Sequence, residues 1–225
     1  MKLTISDEDH ARVSRAIAAA EAKSDGEIVT MVSELSDAYH DVGLHWAVAA
    51  LIGVLAWAAA FPRALENIWR GLFGGWGSTP GLGSLLFFLM FVAVLVFTVV
   101  LLALRYMPLR LLLTPGATKT RRVRRRAVAL FKAAAERRTV GRTGILIYLS
   151  TGEHRAEIVA DEAIVQVTTP DTWGEAMAAL IAEVHEGRTA AGMVAAIGIV
   201  GEVLGQHFPR SATDTNEIPD KLIEL

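Results

Sequence analysis

Four carboxylates, Glu153, Asp161, Glu162 and Asp171, fall within one short stretch, TGEHRAEIVADEAIVQVTTPD. Turn signals around them place each at a strand end or in a loop. Calcium takes six to eight oxygen ligands, and carboxylates on adjacent loops could supply several of them. A cation held there could serve metal-dependent phosphoester chemistry. The same four residues also read as ordinary solvated turn acids. His154 beside Arg155 could bind phosphate or transfer a proton, or could simply be a surface histidine. His10, His185 and His207 have no spacing of the H-E-x-x-H kind. Walker, dinucleotide-binding and nucleophile-elbow patterns are missing. With no cysteine in the chain, thiolate metal sites, disulfides and cysteine nucleophiles are excluded together.

A second cluster has a different chemistry. RRVRRR at 121–126 packs Arg121, Arg122, Arg124, Arg125 and Arg126 into six positions, although the formal charge of all 225 residues is only −2. Guanidinium groups bind phosphate, whether on nucleic acid or on lipid head groups. No zinc signature, helix-turn-helix spacing or RNP aromatic pattern accompanies them, which argues against nucleic acid. Basic clusters just cytoplasmic of a membrane span attract anionic lipid at about 1 kcal/mol per residue near the surface. That reading requires a membrane span nearby.

Two segments qualify. Residues 44–61, LHWAVAALIGVLAWAAAF, and 85–104, LLFFLMFVAVLVFTVVLLAL, carry no formal charge. About 20 apolar residues cross the hydrocarbon core, with roughly 17 as the lower limit. The second segment clears this easily. The first is short and alanine-rich and could be a buried core helix; its pairing with the second, and Trp46, Trp57, Trp69 and Trp76 along its ends and loop, favour a span. A hydrophobic fraction of 52% and mean hydropathy of +0.39 fit a membrane protein better than a soluble enzyme. The loop at 62–84 carries Arg63 and Arg70, whereas Arg105, Arg110, Lys119 and the five arginines follow the second span. This asymmetry puts both termini in the cytoplasm and the loop outside it, across the inner (plasma) membrane. The polar N-terminus is not expected to be a cleavable leader. Gly74, Gly75 and Gly77 make the loop read as flexible.

The elements that must position these groups lie on both sides of the hairpin. Ser6 is a suitable N-cap, with Asp7, Glu8 and Asp9 in the first helical turn. A helix to about Lys23 leads through Ser24-Asp25-Gly26 into a strand, EIVTMVSEL. One helix and one strand have no core of their own, so their partner must lie downstream. There, a helix over 119–138 precedes a doubly buried strand, GILIYLS, and a second strand over RAEIVADEAIVQV. Helices follow at about 173–186 and 189–205, then a polar tail expected as a surface strap. The run AAGMVAAIGIVG in the last helix is too short for a third span. The expected architecture is a three-layer α/β/α sandwich formed by 1–40 and 118–225, interrupted by an inserted two-helix transmembrane hairpin.

GEIVTMVSEL, GILIYLS, EHRAEIVADEAI and EGRTAAGMVAAIGIVGEVLGQHFP, taken in order, resemble the TPM domain family of bacteria and plants. Roughly residues 5–35 and 125–209 carry the resemblance, and a bacterial subgroup is similar in having its domain split by a membrane hairpin. It implies an α/β/α sandwich and, in some members, weak phosphatase activity and calcium binding by acidic residues. Asp171 stands at about the distance of a downstream family aspartate. The chain has ADEAI where many relatives have a glycine-rich turn, and Gly141-Arg142-Thr143 where they often have asparagines.

Two functions fit. One is a membrane-tethered scaffold or interaction module, with the bilayer, anionic head groups and a membrane-protein partner as its contacts. The other is a weak metal-dependent phosphatase, with calcium on Glu153, Asp161, Glu162 and Asp171. Convergence of those four on one cavity would favour the second, and dispersal the first.

Overall fold

The computed structural model describes residues 5–74, 79–134, 143–211 and 219–225. Trp76, Gly75, Gly77, Gly141, Arg142 and the end of the expected 119–138 helix lie outside the described residues. The chain forms two compact units: Met1–Asp37 with Gly116–Leu225, and Ala38–Pro115. The fold is mixed α/β.

In the first unit, α1 (Asp7–Glu21) starts at Ser6, whose side chain accepts the Asp9 N–H and satisfies one of the free amides of the first turn. Val13 and Ile17, one helical turn apart, are fully buried. Strand β1 (Glu27–Ser33) pairs in parallel with β2 (Gly144–Ser150), Ile28 opposite Ile145 and Val32 opposite Leu149. Strand β3 (Arg155–Ala160) runs antiparallel to β2, and β4 (Leu222–Glu224) pairs in parallel with β1. The sheet order is β3-β2-β1-β4.

Period-two alternation sorts the central strands between two cores. Ile28, Val32, Ile145, Ile147 and Leu149 cluster with α1, α8 (Gly174–His185) and α9 (Thr189–His207). Val29, Met31, Leu146 and Tyr148 cluster instead with Val123, Ala127 and Phe131 of α6 (Gly116–Ala134). α9 is long and apolar enough to cross a membrane, yet 44% of its apolar window is buried. Met193, Ile197, Val200 and Leu204 lie in the core of this unit.

Two local expectations are corrected. The strand expected through Val167 ends at Ala160, which pairs with Ile145; Asp161 then bonds to Gly144, the first residue of β2, and no β2 residue is left to pair with the chain that follows. Residues Glu162–Val167 form a helix, α7. The tail, expected as a surface strap, ends in β4, whose Leu222 is buried opposite Thr30.

The second unit is helical. α2 (His40–Ala60) and α4 (Leu82–Ala103) are both long and apolar enough to span a membrane, with only 22% and 11% of their apolar windows buried. Before the glycines from which flexibility was expected, of which Gly75 and Gly77 lie outside the described residues, the loop contains α3 (Pro62–Phe73), with proline in its first turn, where a missing N–H costs nothing. A short α5 (Met107–Leu112) follows α4. Its Arg110 is buried and donates from Nε to the Leu104 carbonyl at 2.7 Å and from Nη1 to the Ala38 carbonyl at 2.6 Å. It thereby caps the carbonyl-rich end of α4 and ties it to the entry of α2.

Candidate functional site

The four candidate carboxylates do not meet. Glu153 sits in the β2–β3 turn and Asp161 just past the other end of β3. At about 3.3 Å rise per strand residue, the length of β3 separates them by roughly 20 Å. Each is occupied locally. Both Glu153 carboxylate oxygens accept the Ser36 N–H, at 2.9 and 3.1 Å. This holds the segment leaving β1 against the β2–β3 turn. Gly152 in that turn has no room for a side chain, since a Cβ would lie 2.6 Å from the Glu34 carbonyl. Asp161 is buried and accepts the Gly144 N–H at 3.2 Å, joining the start of β2 to the end of β3. Glu162 and Asp171 are exposed, on α7 and on the 3-10 turn at Pro170–Trp173. Among the described residues, no group of three or more histidine, cysteine or acidic side chains is placed to hold a metal.

His154 has a left-handed backbone (φ 50°) and stacks on His185, ring centres 6.1 Å apart. This is a surface aromatic contact between the β2–β3 turn and α8.

A cleft of about 260 Å³ opens beside β3, lined by Arg124, Glu157, Val165, Thr168, Trp173 and Met177 among others. None of the four candidate acids lines it. Burial pushes the Glu157 carboxyl above its ordinary range, against the pull of Arg124 at 3.5 Å. The Arg124–Glu157 ion pair and two threonines, Thr168 and Thr169, sit on a wall that is otherwise apolar.

The basic cluster is divided by the helix. Val123 and Ala127 point into the core, so the arginines cover the remaining arc of α6. Arg122 and Arg125 both reach Asp37, at 3.1 and 3.2 Å, and Arg124 reaches Glu157. Arg121 and Arg126 are exposed. Part of RRVRRR therefore anchors α6 to its own unit.

The most perturbed acid was not among the sequence candidates. Glu21, at the end of α1, is buried, and its Oε1 accepts the Ile28 N–H at 2.8 Å. Burial lifts its pKa to about 8, the Ile28 N–H opposes the rise, and Glu27 and Asp220 add to it. In the sequence it is one more charge near a helix terminus. Only the crossing of α1 over β1 and the return of the tail bring the three acids together.

No family model and no curated protein matches the chain. Its fold is similar to the NMR structure of the BA42 protein from the psychrophilic bacterium Bizionia argentinensis, with a TM-score of 0.57 over 100% of this chain and 98% of that one, at 16% identity. The likeness at that identity is one of fold, and it adds no chemistry to the residues above.

Proposed function

We propose that this is a bacterial inner-membrane protein of the TPM-like type, whose α/β domain acts as a cytoplasmic scaffold or interaction module. The observation that carries the reading is the α2–α4 pair: two apolar helices of span length that leave most of their surface unburied. Leu86, Phe87, Phe91, Val94 and Val99 of α4 are all exposed, a surface stable only against hydrocarbon or another apolar body. In this reading α2 and α4 are an inserted transmembrane hairpin with both termini cytoplasmic. The remainder is a three-layer sandwich with α6 on one side of the sheet and α1, α8 and α9 on the other. Arg121 and Arg126 face anionic head groups.

The dispersal of Glu153, Asp161, Glu162 and Asp171, and the backbone amides held by the first two, favours the interaction module over a calcium-dependent phosphatase. A reporter active only when exported, fused after Gly77 or after Leu225, tests the placement. Activity is expected after Gly77 alone, and activity after Leu225 would overturn it. Hydrolysis of a generic phosphate ester by the purified chain, lost in Glu162→Gln or Asp171→Asn, would turn the assignment toward the hydrolase.

A further inference from the structure

Helix α3 is amphipathic to an unusual degree for its 12 residues. Phe61, Leu65, Ile68, Trp69, Leu72 and Phe73 follow the i, i+4, i+7, i+8, i+11, i+12 spacing that gathers them on one stripe. Arg63, Glu66, Asn67 and Arg70 occupy the opposite arc, with Arg70 reaching Glu66 at 3.3 Å. None of its residues is buried. Leu72 and Phe73 are 64% and 66% exposed and Phe61 and Ile68 are exposed as well, so among the described residues most of the apolar stripe is uncovered.

The helix is too short to span, since 12 residues rise only about 18 Å against a core of about 30 Å. It nevertheless stands directly between α2 and α4, the two helices read above as spans, so its apolar stripe continues their lipid-facing surface. The level at which it rests can be read from α4. Phe73 packs edge-on against Phe88 at 5.8 Å. An open cleft of about 630 Å³ between the two helices is lined by Trp69, Phe73, Phe87, Phe88 and Phe91. Phe87 to Phe91 stand about 8–14 Å along α4 from Leu82, at 1.5 Å per residue. A 22-residue α4 is about 33 Å long and just exceeds the hydrocarbon core. The rings therefore lie about 6–12 Å inside its outer boundary, where interfacial helices bury their apolar faces.

We propose that α3 is an interfacial helix lying in the outer leaflet. Ile68, Leu72 and Phe73 are sunk among acyl chains, Arg63 and Arg70 lie at the phosphate level, and lipid tails fill the cleft against Phe87 and Phe91. This rests on the two-span reading of α2 and α4. A hairpin anchored in this way cannot bob or rotate freely, because displacement in either direction exposes the α3 stripe or drags its arginines into hydrocarbon.

The absence of native cysteine gives a clean background for spin labelling of the full chain in phosphatidylcholine–phosphatidylglycerol vesicles. Labels are placed singly by Ile68→Cys, Leu72→Cys, Arg63→Cys and Asn67→Cys, with Ile52→Cys and Leu95→Cys reporting on the spans. Relaxation by dissolved oxygen is compared with relaxation by a water-soluble nickel chelate. Positions 68 and 72 should favour oxygen, at a shallower depth than 52 and 95, while 63 and 67 favour the chelate. Positions 68 and 72 favouring the chelate while 52 and 95 favour oxygen would overturn the interfacial helix and leave the hairpin standing. Low accessibility to both reagents at 68 and 72 would mean a protein cover, which also overturns it. Chelate access at 52 and 95 would remove the hairpin reading and this inference with it.

Discussion

Glu21 makes the stability of the α/β unit depend on pH in a direction opposite to that of most acids. Its carboxyl has an ordinary value of 4.5 and is lifted to about 8 by burial, with Glu27 and Asp220 adding to the effect. Between those values the folded chain keeps a proton that the unfolded chain releases. Stability from this group is therefore complete below about pH 4.5 and is lost as pH rises toward 8. At 1.36 kcal/mol per pH unit the full gap would be worth at most about 5 kcal/mol. Water admitted by local opening lowers this, and about 2–3 kcal/mol is the working figure. Glu21→Gln keeps an oxygen for the Ile28 N–H and cannot ionise. The measurement is hydrogen exchange by mass spectrometry on the full chain in detergent, from pH 5 to 9, corrected for intrinsic exchange, on peptides covering β1 and β4. The contact of His10 with Glu224 at 2.6 Å is common to both proteins. Protection in Glu21→Gln relative to the native chain should rise roughly thirtyfold to a hundredfold across the range, since each 1.4 kcal/mol is a factor of ten. Parallel profiles within about threefold would refute the burial argument.

Gly201 and Gly198 lie one turn apart on α9 and should respond to alanine with opposite signs. A Cβ at Gly201 would fall 2.6 Å from the Ala20 Cβ and 3.3 Å from its Cα, with no flexible side chain to yield, whereas nothing lies within 4 Å of one at Gly198. Gly201→Ala should cost about 1–2 kcal/mol, overpacking outweighing the gain in helix propensity, and lower the melting temperature by several degrees. Gly198→Ala should raise it slightly. Arg110→Met should leave the Leu104 and Ala38 carbonyls unpaired, at about 1–3 kcal/mol each. The expected result is faster proteolysis at residues 104–115 in detergent with the α/β unit unaffected.

Local composition determined much of the chain on its own. The helices at His40–Ala60 and Leu82–Ala103 were legible because an uncharged apolar run of that length has few alternatives. The cap at Ser6 and the buried strand Gly144–Ser150 were legible because capping and burial leave short-range marks. That the strand at Glu27–Ser33 needed a downstream partner followed from its having no core of its own. Its register, Ile28 opposite Ile145, did not follow, since pairing is decided by what stands alongside. For the same reason β3 stops at Ala160 where β2 begins, and the helix after it was misread from its apolar residues. β4 exists only because the β1 edge is there to receive it. The α3 stripe was present in the sequence from Phe61 to Phe73 but was masked by the neighbouring glycines. For the site, residue type alone nominated Glu153 and Asp161, and only the fold assigned each to a backbone amide at opposite ends of a strand. Glu21 was invisible because a carboxyl's character depends on the water it loses and the charges it meets, and both are properties of the assembled chain.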